Sequence, residues 1–274
     1  MRPIDLIAGV GGRRRAWLRP LDGVAERAGA QAGPAPGPAP VPVPGPVAGA
    51  EALLARLLVA AEDAVGPMEV AALALADRDR LLAAVWDEAY GPRIEADGRC
   101  TGCGGGYALA FTLDDLAAAA LGGGPLPDGP DAAGRFRLDD VVFRLPTARD
   151  AAAAGRAPDP GAAMLAACVI EGAVAGREAA VEAAIAAAGP VLDVDLAATC
   201  PDCGAAQAPR FRLDAFLAAS LAAEGPLRQR EIHCLATAYR WSHEAILALP
   251  RGERQGYVRL ILEAWGHAAG TGRP

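Results

Sequence analysis

The feature that most constrains this chain is a pair of short cysteine motifs, Cys100-Thr-Gly-Cys103-Gly104 and Cys200-Pro-Asp-Cys203-Gly204. In such a C-x-x-C-G turn, called a knuckle below, both sulfurs point to the same side, and the glycine tolerates the positive φ that the turn requires. Two thiolates are half of a tetrahedral zinc site. The pair of knuckles therefore predicts one structural Zn²⁺ site with four ligands: Cys100, Cys103, Cys200 and Cys203.

The similarity between the knuckles continues beyond the cysteines. The residues that match at an offset of one hundred include Phe111 and Phe211, Leu113 and Leu213, Asp114 and Asp214, and Leu121 and Leu221. This repetition predicts an internal duplication of a unit with the order strand, knuckle, strand, helix. We expect the two repeats to share one metal ion. The alternative is two half-sites that each meet another chain, because an ordinary zinc ribbon separates its knuckles by only about 15–20 residues.

The composition is that of an acidic protein with enough apolar side chains to build a core. The chain has 274 residues, of which 53% are hydrophobic and 22% are charged, and its net charge is −7. Its basic residues are all arginine. A length of this order allows one large domain or two small ones. This negative net charge argues against a general phosphate-binding surface.

The cysteine content raises the alternative of disulfide bonds or redox chemistry, since the chain has six cysteines. The first residues do not resemble a secretory signal, because Asp5 interrupts the apolar run and the cluster Arg13-Arg14-Arg15 follows it. No window holds the roughly 18 apolar residues of a membrane span. We therefore expect a cytosolic protein, in which paired C-x-x-C motifs favour metal binding over disulfides.

The predicted fold class is α+β, with the duplicated knuckle unit, intervening helices and a C-terminal three-helix unit. We predict these segments: an N-terminal arm (1–32), a Pro-rich linker (33–49), helices with the first knuckle repeat (50–130), a hairpin with connecting helices (131–188), the second knuckle repeat (189–225) and the C-terminal helical unit (226–267). The linker alternates Pro with Gly, Ala and Val, a composition that cannot form a strand ladder.

Local patterns predict the secondary structure within these segments. The predicted strands and hairpin are Ala16–Leu21, Arg93–Asp97, Tyr107–Phe111, Arg135–Leu138 with Val141–Leu145, Val191–Ala197 and Arg210–Leu213. The predicted helices are Ala50–Glu62, Pro67–Ala76, one opened by Asp77-Arg78-Asp79-Arg80, Thr112–Leu121, Thr147–Ala154, Gly161–Gly176, Arg177–Ala188, Asp214–Glu224, Leu227–Tyr239, Ser242–Leu249 and Gly252–Gly266. Thr112 with Asp115 and Thr147 with Asp150 form capping patterns, and Asp114 and Asp214 are interpreted as helix caps.

Other candidate chemistry finds little support in the sequence. Cys168 lies in a helical pattern and is interpreted as a buried packing residue. Cys234 and the adjacent His233 diverge by about 100° on a helix and are interpreted as packing or surface residues. Nucleobase deaminases pair H-x-E with P-C-x-x-C, and this chain has no H-x-E motif. We therefore predict no catalytic residue. The last two helices, with Arg251, Arg254 and Arg259, leave a nucleic-acid-binding regulator as the alternative function.

A family resemblance rests on residues spread over most of 16–265. They are Leu18-Arg-Pro-Leu-x-Gly23, Asp77-Arg-Asp-Arg-Leu-Leu82, the first knuckle, Phe143-Arg-Leu-Pro-Thr147-x-x-Asp150, Cys200-Pro-x-Cys203-Gly204, Glu231-Ile-His233-x-Leu-Ala-x-x-Tyr239-x-Trp-Ser242-x-x-x-Ile246-Leu-x-Leu249 and Arg254-x-x-Tyr257-x-x-Leu260. In this order they resemble the T4-type phage baseplate protein family, hub-associated or assembly proteins of contractile tails that are also encoded with phage-tail-like contractile injection systems.

The resemblance implies a function without catalysis. A member of that family helps to build a baseplate or forms part of it, and its partners are other baseplate or tail-hub proteins. We accordingly expect a location in the bacterial cytoplasm or within a phage-tail-like particle.

Overall fold

The computed structural model describes residues 1–10, 12–30, 48–59, 70–120 and 125–270. The helices are α1 (Gly23–Ala30), α2 (Ala48–Leu57), α3 (Leu75–Tyr90), α4 (Leu113–Ala120), α5 (Ala148–Ala154), α6 (Pro160–Cys168), α7 (Glu178–Ala188), α8 (Leu213–Ala223), α9 (Gly225–Tyr239), α10 (His243–Leu247) and α11 (Arg251–Gly270). The strands are β1 (Arg2–Val10), β2 (Arg13–Leu18), β3 (Leu58–Val59), β4 (Arg93–Arg99), β5 (Gly106–Thr112), β6 (Arg135–Leu138), β7 (Val141–Arg144), β8 (Val169–Glu171), β9 (Asp193–Asp195), β10 (Ala198–Thr199), β11 (Ala206–Gln207) and β12 (Arg210–Arg212). The predicted α+β class is confirmed.

The strands form small antiparallel sheets, and two of these ladders present the knuckles. The three-stranded sheets have the orders β1–β2–β3 and β6–β7–β8. β4 pairs with β5 along their whole length, from Arg93 opposite Thr112 to Arg99 opposite Gly106, and the first knuckle joins them. The second knuckle joins the short pair β10–β11, which follows the β9–β12 pair along the same two chain segments.

The largest core joins the N-terminal segment to both knuckle repeats. Its fully buried side chains include Leu18 from β2, Leu54 from α2, Leu81 from α3, Ile94 from β4 and Leu217 from α8. Because apolar residues of α3 recur at helical spacing, one face of this helix is buried along its length. Each of these segments therefore contributes to a single apolar interior.

Two acids near the start of α3 tie neighbouring segments to that helix. Asp77 accepts hydrogen bonds from the N–H groups of Ile7, of Ala8 at 3.1 Å and of Gly9 at 2.9 Å. Asp79 accepts one from the Leu192 N–H at 2.8 Å. Burial raises the pKa of both carboxyl groups, although the N–H donors oppose this effect. The sequence predicts these acids as helix-start residues, and the structure adds their buried contacts.

The β6–β7 hairpin and α5 form as predicted. Phe136 and Phe143 stack across the hairpin with ring centroids 5.7 Å apart. The Thr147 hydroxyl accepts from the Asp150 N–H at 3.3 Å, and the Asp150 carboxylate accepts from the Thr147 N–H at 2.8 Å. This reciprocal pair is the predicted capping box. Arg144 also binds Asp150, and this hydrogen bond lowers the pKa of the carboxyl group to about 2.

The helix predicted for Gly161–Gly176 is wrong beyond Cys168. The chain there becomes strand β8, in which Val169 lies opposite Phe143 and Glu171 opposite Val142. Gly172 follows with φ +93°, where a Cβ would lie 2.6 Å from the Asp140 carbonyl oxygen. The β-branched pair at 169–170 favours a strand, and the positive φ of Gly172 rules out a continuous helix.

The N-terminal region also differs from the prediction. A single strand over Ala16–Leu21 is predicted, but the structure has a hairpin of β1 and β2 and then α1. The helix predicted for Ala50–Glu62 ends at Leu57, because β3 pairs with β2. The helix predicted for Pro67–Ala76 is wrong in most of its described part, 70–76, which holds a 3₁₀ turn at Val70–Ala72 and only the first two residues of α3. The Pro-rich linker lies outside the described residues up to residue 47.

The three C-terminal helices α9, α10 and α11 are present as predicted and have their own small core. Leu235, Ile246 and Ile261 are buried together, one from each helix. The hydroxyl of Ser242 caps α10 by accepting from the Ala245 N–H at 3.1 Å. Within the described ranges, no helix is both long and apolar enough to cross a membrane.

A buried ionic cluster fastens this C-terminal unit to α1. Glu26 has no exposed surface, and its carboxylate accepts from Arg251 at 2.8 Å and from Arg254 at 2.7 Å. Arg251 also binds Glu224, and Arg254 also binds Glu231. Mutual neutralisation and directed hydrogen bonds are what allow such charges to remain in the interior.

Candidate metal centre

The first knuckle is closed by its own backbone. The N–H of Cys100 donates to the Gly105 carbonyl at 2.8 Å, and the N–H of Gly104 donates to the Cys100 carbonyl at 3.0 Å. Gly104 has φ +74°, a conformation that other residues adopt only with strain. The predicted need for glycine at this position is confirmed.

The second knuckle has the same backbone arrangement. Cys200 donates to the Ala205 carbonyl and Gly204 donates to the Cys200 carbonyl, each at 3.0 Å, and Gly204 has φ +73°. The two turns are thus equivalent in hydrogen bonding and in backbone conformation. The internal duplication itself stays a prediction.

Core packing brings the two knuckles together. Phe111 on β5 and Phe211 on β12, which match in the sequence offset, meet edge to face with ring centroids 5.0 Å apart. Gly105 leaves room at the contact, since a Cβ there would lie 2.1 Å from a carboxylate oxygen of Asp202. The ladders that present the knuckles are therefore held side by side by aromatic packing and by small residues.

The four predicted ligands form one cluster. Their sulfur atoms all lie within 4.8 Å of one another. The Cys100 and Cys203 sulfurs are 3.6 Å apart, and those of Cys103 and Cys200 are 3.7 Å apart. Metal–sulfur bonds of about 2.3 Å in a tetrahedron place sulfurs about 3.8 Å apart. The donor set and its spacing therefore fit a single tetrahedral ion.

The same distances speak against a disulfide within the cluster. A disulfide joins its sulfurs at about 2.05 Å, and all four of these cysteines are free. The short contacts also run between the knuckles rather than within either one. This arrangement is expected when all four sulfurs face one common point.

Four thiols this close cannot all ionise without a cation. The N–H groups of Cys103 and Gly102 lower the pKa of the Cys100 thiol to about 6. The N–H of Gly105 also acts to lower the pKa of Cys103, but the sulfurs of Cys203 and Cys200 outweigh it, and that pKa rises to about 12. A divalent metal ion would supply the missing positive charge, and its binding would release the remaining protons.

The cluster has a covered side and an open side. Cys100 and Cys200 are buried, at 3% and 1% exposed, whereas Cys103 and Cys203 are exposed. On the covered side the side chain of Gln207 reaches the first knuckle and contacts the Cys100 sulfur. The sequence prediction missed Gln207. Gln207 matches Tyr107 at the offset of one hundred, and this correspondence between the repeats is the sequence signal that could have identified it.

The remaining candidates lie outside this cluster. Within the described part of the chain, no second group of three or more potential metal ligands comes together. Cys168 is fully buried, and burial raises the pKa of its thiol to about 11. Cys234 lies on α9 beside the C-terminal core. The interpretation of Cys168 as a buried packing residue and of Cys234 as a packing or surface residue agrees with these positions.

The predicted caps at Asp114 and Asp214 are wrong. The helices begin at Leu113 and Leu213, one residue earlier. The Thr112 hydroxyl caps α4 by accepting from the Asp115 N–H at 3.1 Å, which confirms the capping pattern predicted for Thr112 and Asp115. Asp214 is instead buried between arginines, with Arg78 at 3.6 Å and Arg212 at 2.9 Å.

Fold and site together define a mixed α+β protein with a four-cysteine centre that could hold a metal ion. Comparison with protein-family models, with curated proteins and with solved structures found no match for this chain.

Proposed function

We propose that this chain is a non-enzymatic structural or assembly protein, chaperone-like, of a phage baseplate or contractile injection system, in which one Zn²⁺ joins the two knuckle units. The observation that supports the zinc centre is the four-sulfur cluster contributed by two segments about one hundred residues apart, and the baseplate role rests on the family resemblance alone. Its partners would be other baseplate or tail-hub proteins.

The donor set supports a structural role for the zinc. Four thiolates complete the tetrahedral coordination of Zn²⁺, whereas catalytic zinc sites have three protein ligands and keep one position for water or substrate. The knuckles also contain no histidine and no glutamate that could serve as a general base. A closed site of this kind contributes folding free energy and holds distant segments together.

The residues that carry the family resemblance support the baseplate assignment through their positions. Asp77 and Asp79 bind backbone N–H groups of other segments. Thr147 and Asp150 form a capping box, and Glu231 binds Arg254 within the buried ionic cluster. Residues that maintain a fold shared by a family would have such buried and capping roles. A protein without catalysis would then act through the surfaces that this fold presents to its partners.

The nucleic-acid alternative is less well supported. Arg251 and Arg254, which would have to contact phosphates, are engaged by Glu26, Glu224 and Glu231. The chain also carries a net charge of −7. Sequence-independent DNA affinity comes from free basic groups that neutralise phosphates, and these two arginines are not free.

The test is purification of the tagged chain from its own cells, followed by identification of bound proteins and metal analysis. We expect one zinc per chain and co-purification of baseplate or tail-hub subunits. Tail genes beside its coding sequence would add support. The matched variants are Cys200→Ser, which should lose the zinc, and Cys234→Ser, which should keep it. Recovery free of any tail protein would refute the baseplate assignment, and DNA binding with a steep salt dependence would favour the regulator.

A further inference from the structure

The side chain of Gln207 connects the second repeat to the first knuckle. Gln207 ends β11 and is 8% exposed. Its Oε1 accepts from the N–H of Thr101 at 3.0 Å and from the Thr101 hydroxyl at 3.2 Å. Thr101 follows Cys100 directly, so this amide holds the backbone of the opposite knuckle beside its first ligand.

The other end of the same amide faces a ligand sulfur. Nε2 lies 2.9 Å from the Ala206 carbonyl oxygen, 3.3 Å from the Ala205 carbonyl oxygen and 3.4 Å from the Cys100 Sγ, so its two N–H groups face these three acceptors. The orientation of the amide is fixed by its neighbours: the Thr101 N–H is only a donor, so it must face Oε1, and this leaves the NH₂ group toward sulfur. Cys100 therefore receives a side-chain N–H from the other repeat as well as the Gly102 N–H at 3.4 Å.

The matching position in the first repeat has a different residue and a different role. Tyr107 is 9% exposed, and its ring lies against Gly98, where an added Cβ would be 2.4 Å from the ring carbon Cζ. A phenol ring fills space but offers no N–H group. The two knuckles thus share the same backbone conformation but differ in the buried side chain that follows them, which is Tyr107 in the first repeat and Gln207 in the second.

We propose that Gln207 is a positioning residue of the metal centre, which orients the Cys100 thiolate toward the ion and fixes the first knuckle against the second repeat. This inference rests on the proposed zinc centre. Zn²⁺ with four thiolates keeps a charge near −2, and N–H donors to sulfur spread that charge. Groups that orient metal ligands in this way typically contribute 10–100-fold to metal affinity.

The first experiment measures the zinc affinity of Gln207→Met by competition with a chromogenic chelator. Methionine keeps the length and removes the amide, and Gln229→Met on the exposed face of α9 is the matched control. We expect Gln207→Met to bind one zinc per chain about 10–100-fold more weakly. In the Co²⁺-substituted protein the thiolate-to-cobalt absorption band should shift, which a loss of packing alone would not cause.

A second variant separates the two ends of the amide. Gln207→Glu keeps an acceptor for Thr101 but places an anionic oxygen where the N–H faced Cys100. We expect it to bind zinc more weakly than Gln207→Met. Affinity like that of the wild type would overturn the role assigned to the donor.

If the variants do not fold, the role of Gln207 can still be tested on the wild-type chain. In protein loaded with ¹¹³Cd, the side-chain amide protons of Gln207 should show scalar coupling to cadmium through the N–H to sulfur bond. The backbone N–H groups of Gly102 and Gly105 are the internal reference. Coupling at both glycines and none at Gln207 would overturn the inference, as would Gln207→Met with wild-type affinity. A wild-type chain that binds no metal would instead overturn the proposed zinc centre.

Discussion

Removal of the metal is expected to cost the folded chain a large part of its stability. An ion held by both knuckles closes a loop between Cys103 and Cys200, which are 97 positions apart. Because the ion, unlike a disulfide, can leave the unfolded chain, it stabilises the fold through its binding free energy, which is worth about 4.1 kcal/mol when free zinc is about 1,000 times the dissociation constant. The total free energy of unfolding of a native protein is only about 5–15 kcal/mol. We therefore expect the free energy of unfolding to fall by about 4 kcal/mol when zinc present at that concentration is removed.

The assay is urea unfolding of the zinc-loaded and the chelator-treated chain, followed by far-ultraviolet circular dichroism. Cys200→Ser should unfold like the chelated wild type and should not respond to added zinc. Cys234→Ser, whose thiol lies outside the cluster on α9, should keep both the zinc and the wild-type midpoint.

Two results would refute this reasoning. One is the same midpoint for loaded and chelated wild type, which would mean that no ion links the knuckles. The other is a full equivalent of zinc on Cys200→Ser, which would mean that the two knuckles do not share one ion.

Three further substitutions test buried or capping contacts elsewhere in the fold, each by urea unfolding. Glu26→Gln should cost about 3–5 kcal/mol, because the arginines around it lose their buried carboxylate. Gly189→Ala should cost about 1–3 kcal/mol, since its Cβ would lie 2.4 Å from a methyl carbon of Leu145. Asp150→Asn should cost about 1 kcal/mol at neutral pH through the weakened cap. Arg144 lowers the Asp150 pKa to about 2, so this stabilisation is complete above the unfolded-state pKa of about 4 and is lost as the pH falls toward 2. The difference in the free energy of unfolding between Asp150→Asn and wild type should therefore become smaller as the pH falls from about 4 toward 2.

The matched controls are exposed or unobstructed positions. Glu253→Gln lies on α11 at an exposed site, Gly252→Ala meets nothing within 4 Å, and Asp97→Asn is exposed on β4. Each should stay within about 0.5 kcal/mol of wild type. A Glu26→Gln protein as stable as its control, or an Asp150→Asn difference that does not change with pH, would contradict the corresponding argument.

The candidate metal ligands could be predicted from the sequence because the information is local. A C-x-x-C-G turn defines its own backbone, and the structure has it at Gly104 and Gly204 with nearly equal φ. The capping box of Thr147 and Asp150 and the start of α10 at Ser242 are local in the same sense, since each hydrogen bond spans only three residues.

Predictions failed where distant segments decide the local structure. Leu58 and Val59 follow a helical pattern, yet they become β3 because β2 offers an open edge. Val169 pairs with β7 for the same reason. Asp214 was interpreted as a cap from its place after a strand, but its partner Arg78 comes from a helix far away in the chain.

The sequence by itself determined the two knuckles, the hairpins that carry apolar alternation and most of the helices, because these depend on spacing within a few residues. Only the tertiary structure decided which groups share the interior. It placed Glu26 among arginines from the other end of the chain, and it set Gln207 behind a cysteine of the opposite knuckle. A polar side chain in the interior must find its hydrogen-bond partners wherever packing brings them, and no local pattern records where that is.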